Sequence, residues 1–501
     1  MLPRIVTSTG ALGIIPGMEL HRQVAPRGLF VLFGLLVALV AANALAYAAS
    51  TANWVPTSDN WFYLDRIVYP YAHGQFAIDE LLVKRGAFDH SQPLRRLLLL
   101  ANYEWFDVDF RVEAVFAALV GILDIALLWF CLRRELRAGM PVSGLAYAAL
   151  AAVYFSLSAP VVFTWSLLTL GFTSQFVMLL WLLACWAVLE RPSRGRAAIL
   201  LACTFLFGLV ADDTALVAVV AGAIAALILA WRGRTWKPAA YMVGACIVGI
   251  AGYLAFYHAV APPTPGETLN GARALALPGS LGDAWQWGVV PLVSGLVHRS
   301  MLRAWFGDST EAIVALIAAA FVLAHLWFWK RALTGTRNRS AFIAVVLMLL
   351  SYGLVAGIVL GRVSVYGVDY LWQPRYAIVY RWHLVALLVM LVAQAASWPV
   401  GGIGRRMAAL SAVALLAVQV PIGIAAWNSA KYTRNANERM AAQVLELGQS
   451  GGARPARGCA QQLTVCKFDD ARRQRIIGFL RSQRLSVFSE AVRERNGYPG
   501  D

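Results

Sequence analysis

Three groups of polar residues break an otherwise apolar chain, and their types decide what chemistry it can do. The first runs Ser58-Asp59-Asn60-Trp61-Phe62-Tyr63-Leu64-Asp65-Arg66, then Ile78-Asp79-Glu80, then Phe88-Asp89-His90-Ser91-Gln92-Pro93-Leu94-Arg95-Arg96. Asp59 and Asp89, with His90, are the candidate catalytic groups, because a carboxylate or imidazole beside a reacting hydroxyl can take its proton. Taken singly, such loop residues more often stay solvated or cap a helix, and Asp65-Arg66 reads as a local ion pair. The second group is Leu360-Gly361-Arg362-Val363-Ser364-Val365-Tyr366-Gly367, then Asp369, then Gln373-Pro374-Arg375-Tyr376. A planar guanidinium suits bidentate phosphate binding, so Arg362 and Arg375 are the candidate binding residues, with Tyr376 and Asp369 beside them. The competing reading is snorkelling arginines in an aromatic belt of Tyr366, Tyr370, Trp372 and Tyr376. The third group is Gly171-Phe172-Thr173-Ser174-Gln175-Phe176, where Gln175 can hold a sugar hydroxyl or act as interhelical glue. Asp124 is the deepest carboxylate. Asp212-Asp213 can take a cation or cap a hairpin, and no dedicated metal-ligand set is expected.

Composition fixes the elements that must position these groups. Of 501 residues, 59% are hydrophobic and 14% charged, against about 45–50% apolar and about 25% charged in a soluble domain. This excludes a soluble enzyme. Forty-three Lys and Arg against 27 Asp and Glu give a net charge of +16, but the basic residues are scattered between apolar runs, which argues against nucleic acid as a partner. The expected class is an all-α polytopic membrane protein. Crossing about 30 Å of hydrocarbon takes roughly 20 apolar residues, and eleven runs qualify: 28–49, 112–132, 140–158, 172–189, 197–211, 214–230, 238–258, 311–329, 341–360, 382–400 and 407–427. The stretch Leu94 to Phe110 reads as a helix lying on the membrane surface. No internal repeat and no Walker, Rossmann, HExxH or EF-hand signature is present. No cofactor is implied beyond an optional divalent cation.

Lys and Arg resist translocation, so short basic loops mark the cytoplasmic side. Residues 1–27, 133–138, 191–196, 231–237, 330–339 and 401–406 carry two to four each, while 159–171 and 211–214 carry none. The expected topology for a bacterial inner membrane has residues 1–27 cytoplasmic and a spanning domain over 28–427. Its segments 50–111, 259–310 and 361–381, and the tail 428–501, then face the periplasm. The first span, beginning 27 residues in, reads as an anchor instead of a cleaved signal. The polar tail, too small and polar to fold alone, is expected as an appendage packed on the outer face and touching anionic headgroups, with helices around 433–447 and 470–495; the alternative is a solvated, partly disordered tail. It contains Cys459 and Cys466, with no further Cys or His nearby, so in an oxidising compartment the two are expected to pair as a disulfide. Cys131, Cys185, Cys203 and Cys246 fall in or at the ends of spans and read as small apolar side chains.

In combination these motifs resemble the GT-C superfamily of polytopic membrane glycosyltransferases. An acidic motif follows the first span, Ser58-Asp59-Asn60-Trp61; a (D/E)H-x-x-P-L segment opens a juxtamembrane helix, Asp89-His90-Ser91-Gln92-Pro93-Leu94; Gly171 to Phe176 is similar to a GFQxQF segment. Gly361-Arg362 with Tyr366-Gly367, followed by Arg375-Tyr376, completes the pattern, which covers most of 28–400 in order and spacing. Two positions depart from it: Asn60 stands where a second acid is often found, and Thr173 where Gln is common. The first departure leaves Asp65 and Asp89 as rivals to Asp59 for the base. The resemblance implies a polyprenyl-phosphate-sugar donor, an inverting displacement at the anomeric carbon, and a glycan, lipid or protein acceptor at the outer face. The alternative is a transporter or flippase of a lipid-linked saccharide, in which the same arginines hold phosphate and nothing reacts. Transporters commonly show repeats and broken midplane helices, and neither is evident here. Either way, residues 59–96 and 361–376 are expected to wall one cavity.

Overall fold

The computed structural model describes residues 27–84, 90–262, 280–363, 366–453 and 458–498. Asp89 and Ser364 lie outside the described residues. Every regular element among those described is helical, as expected of backbone that must satisfy its own polar groups in hydrocarbon. The longer helices are α1 (Arg27–Thr51), α2 (Pro93–Phe106), α3 (Phe110–Gly139), α4 (Val142–Tyr154), α5 (Gly171–Glu190), α6 (Arg194–Ala211), α7 (Asp213–Gly233) and α8 (Trp236–Val260). They continue with α9 (Leu281–Ser294), α10 (Arg299–Phe306), α11 (Thr310–Thr334), α12 (Arg339–Ile358), α13 (Trp382–Ala395), α14 (Ile403–Gln449) and α15 (Asp470–Ser482).

Among the described residues, ten helices are long and apolar enough to cross a membrane. The chain is a multi-pass membrane protein by that measure. The eleventh expected run, 140–158, forms the 13-residue α4, about 20 Å long, and the short turns that follow it carry the chain on to the opposite end of the bundle, where α5 begins. Pro141 stands at the start of α4, and Pro160 follows its end within a stretch of short turns. Nearly every residue of α4 is buried, so it fills the bundle interior instead of facing lipid.

The two ends of the bundle differ in chemistry. At one end, arginines of the basic connections donate to backbone carbonyls of neighbouring helices, two of which, Ala332 and Met140, are at helix ends where intrahelical partners are lacking. Arg339 Nε reaches Cys131 O at 2.8 Å, Arg232 Nη1 reaches Ala332 O at 2.7 Å, and Arg405 Nη2 reaches Met140 O at 2.6 Å. The opposite end carries a second hydrophobic core. α14 runs for 47 residues, about 70 Å, more than twice what the hydrocarbon needs. Its distal Met440, Val444 and Leu447 pack with Ile476, Ile477 and Leu480 of α15, and with Trp54, Trp61, Leu64 and Ile67 from the segment after α1.

The tail is therefore a folded layer packed on this end of the bundle, as expected of the packed appendage and unlike a solvated tail. Asp65, with a side chain only 9% exposed, receives Arg472 at 2.6 Å and Arg475 at 2.8 Å. Asp109 receives Arg495 at 2.9 Å. The helix expected over 470–495 breaks after Ser482, where Arg484 and Ser486 both adopt φ of 53°, and resumes at Glu490–Arg495. Cys459 and Cys466 are joined as a disulfide, as expected. α2 buries Arg96, Leu99, Leu100 and Asn102 and turns Leu97 and Trp105 outward, the two-faced pattern expected of a membrane-surface helix.

Candidate functional site

Between the bundle and the second layer lies a cavity of about 640 Å³. The stretches 59–96 and 361–376 both wall it, through Asp59, His90, Arg95 and Arg96 on one side and Arg362, Tyr366, Tyr370, Arg375 and Tyr376 on the other. Glu113, Trp165, Asp213 and the last turns of α12 complete the lining. Four arginines thus face three carboxylates around one space.

Asp59 precedes the short helix Asn60–Tyr63 and is half-buried. His90 is exposed, and its Nδ1 lies 3.3 Å from Asp213 Oδ2 at the start of α7. Arg96 is 3% exposed and works as a staple: it donates to the carbonyls of Leu81, Val83 and His90, with its guanidinium 5.0 Å from the Tyr63 ring. Arg95 Nη1 donates to Leu167 O at 2.9 Å. Glu113, in the first turn of α3, accepts from Asn102 Nδ2 at 2.8 Å.

The opposite wall is aromatic and cationic. Arg375 lies 5.2 Å from the Tyr370 ring and 5.3 Å from the Tyr376 ring, and Nη2 donates to the Tyr370 hydroxyl. Such contacts orient a guanidinium and partly offset its desolvation. Its buried Nε meets no acceptor among the described residues. Tyr366 stacks on Tyr370 with ring centroids 4.5 Å apart. The tyrosines read in the sequence as an aromatic belt are thus what hold this arginine.

Other candidates stand elsewhere. Gln175 does not line the cavity; the Tyr154 hydroxyl sits between its Oε1 and Asp124 Oδ2, which is the interhelical-glue arrangement. Asp369 is exposed in the short helix Val368–Trp372 and is also absent from the lining. Asp65, the rival base, is occupied by the two tail arginines, and Arg66 pairs with Glu80 instead of its neighbour, at 2.7 Å.

The donor atoms of His90, Asp212 and Asp213 come within 4.8 Å of one another, the spacing of a possible cation site. Asp212 argues against it. Its Oδ1 accepts from the Tyr253 hydroxyl at 2.6 Å, and its Oδ2 receives the Ser91 amide and the Lys84 ammonium, each at 2.9 Å. A buried carboxylate satisfied by three donors and already holding a cationic side chain has little left for a metal. The approach of Tyr253 depends on Gly208, where a Cβ would stand 2.5 Å from the ring.

Sequence reasoning missed Glu113 as part of this lining, gave Arg95 no role in it, and did not foresee the Lys84–Asp212 pair, which stands outside the lining. Glu113 carried a usable signal, a carboxylate at the edge of an apolar span. Lys84 carried none, because its partner is distant in sequence. Comparison with family models, with curated proteins and with solved structures found no match, so the site is read from its own geometry.

Proposed function

We propose that the protein is a membrane glycosyltransferase that moves a sugar from a polyprenyl-phosphate donor to an acceptor hydroxyl, with inversion. The observation that carries this reading is the single cavity in which Asp59 and the guanidinium groups of Arg362 and Arg375 share one lining, at the ends of apolar helices. A lipid-linked donor keeps its chain in the bilayer while its phosphate-sugar head enters such a space. Asp59 takes the acceptor proton as the acceptor oxygen bonds to the anomeric carbon. The bond from that carbon to the phosphate oxygen breaks, and the phosphate leaves with the electron pair, its charge held by Arg362 and Arg375. Most of the rate then comes from positioning and charge stabilisation.

The basic connections lie at the end of the bundle away from the cavity, and with α4 and the turns after it carrying the chain from one end to the other, the positive-inside rule supports a periplasmic cavity and tail and a cytoplasmic N-terminus in an inner membrane. The deciding experiment incubates the purified full-length protein with radiolabelled polyprenyl-phosphate sugars and extracts of the cell envelope. Label transferred to a new product supports the reading. Label that crosses a vesicle bilayer unchanged, with no product, replaces it with a flippase.

A further inference from the structure

The Ser58 amide donates to the Gln462 carbonyl at 2.6 Å. Gln462 lies inside the loop closed by the Cys459–Cys466 bridge, and Ser58 immediately precedes Asp59. Ser58 has φ of 48°, a left-handed conformation that serine adopts rarely and only where its surroundings impose it. Asp59 then opens the next turn, its carbonyl accepting from Phe62 N at 3.0 Å and Tyr63 N at 3.3 Å, with the residue itself lining the cavity. The far side of the loop is fixed to the long helix. Gln443 of α14 donates through Nε2 to Gly458 O and accepts from Ala460 N, both at 3.0 Å, while Leu463 and Val465 are fully buried in the second core. A continuous path therefore runs from α14, through the crosslinked loop and the Gln462 carbonyl, to the backbone that carries Asp59.

We propose that the Cys459–Cys466 loop is a positioning element for Asp59: the Gln462 carbonyl holds the Ser58 turn, and the bridge holds the carbonyl. The functional half of this rests on Asp59 as the base; the structural half does not. Without the bridge, the loop regains conformational freedom and its carbonyl no longer has a fixed place. Ser58 then relaxes to negative φ and the following carboxylate turns with it. Misplacing a reacting group by about 1 Å costs up to roughly 10² in rate, so an effect of about 10- to 100-fold on transfer is expected.

The test compares the full-length protein in lipid nanodiscs with Cys459→Ser/Cys466→Ser and with Gln443→Ala, which loosens the loop while keeping the bridge. Hydrogen exchange of the peptide containing Ser58 is read first. Faster exchange at Ser58 in either folded variant, with unchanged exchange in α3 and α5, supports the contact; unchanged exchange in both overturns it whether or not the protein is a transferase. Single-turnover transfer and donor binding are read next. Slower transfer with donor binding intact, and no further loss when the bridge is removed from Asp59→Asn, supports positioning. A loss that is the same size in the Asp59→Asn background, or that falls on donor binding, overturns it.

Discussion

The Lys84 ammonium lies 2.9 Å from Asp212 Oδ2, joining the end of the first long connection to the α6–α7 corner. Asp212 is 3% exposed and sits at φ of 47°, so the corner is both buried and conformationally unusual. Replacing Asp212 with Asn strands a largely buried ammonium, and a loss of about 3 kcal/mol is expected, as for other broken buried pairs. Thermal unfolding of the purified protein checks this; a melting temperature unchanged from wild type would count against it.

The same pair sets a pH dependence. Burial draws the Lys84 ammonium down, but the Asp212 charge and hydrogen bond outweigh it, and the group is held above its ordinary value of 10.5. A lysine raised in the folded state contributes stability that is complete below the unfolded value and lost as pH rises through the folded one. The stability gap between wild type and Lys84→Met should therefore stay level from pH 7 to about 10 and narrow only above it. A gap that closes near neutrality would contradict the sign.

Asp59→Asn keeps shape and hydrogen-bonding reach but cannot take a proton. Turnover should fall by roughly 10²-fold or more with donor binding little changed. His90→Gln, measured in parallel, separates the rival assignment: if His90→Gln abolishes transfer and Asp59→Asn does not, the proton goes to the His90–Asp213 pair.

Arg375→Ala should weaken donor binding and turnover together, because a contact to phosphate exists in the ground state and strengthens as the leaving group gains charge. Arg375→Lys should recover little, since an ammonium lacks the flat face that Tyr370 and Tyr376 embrace. Recovery to near wild-type binding by lysine would mean that charge alone is used.

Topology is checked by accessibility. Asp369→Cys, exposed near the cavity end, should react with a membrane-impermeant maleimide on spheroplasts, whereas Arg234→Cys in the α7–α8 connection should react only after permeabilisation. The reverse pattern would invert the molecule in the membrane.

Membrane spans were legible because their signal is local: each is a run of apolar residues whose helix closes its own hydrogen bonds. The run 140–158 differs in having only 13 residues of regular helix, Val142–Tyr154, with short turns completing its length. The walls of the cavity were legible as motifs, with Asp59, His90, Arg362, Arg375 and Tyr376 all found in its lining. The tail was legible only in part: that it packs on this face follows from its being too small and polar to fold alone, but the core it joins was not, because Ile476, Ile477 and Leu480 meet Trp54, Trp61 and Leu64 from hundreds of positions earlier. Asp65 is the same case, since its partners Arg472 and Arg475 stand far along the chain while its neighbour Arg66 pairs with Glu80.

α14 passes from the membrane into the second layer without a break, and Pro421 removes one of its backbone donors partway along. From Pro421 to Gln449 the rod extends about 42 Å at 1.5 Å per residue. A pivot of about 10° at the proline would swing its tip by about 7 Å, more than the length of one helical turn. The Asn437 amide, which donates to Thr51 O at 3.1 Å where α1 ends, acts as a guy-line on that lever. Any such bend would then be shared with the first span through this contact instead of falling on the second layer alone.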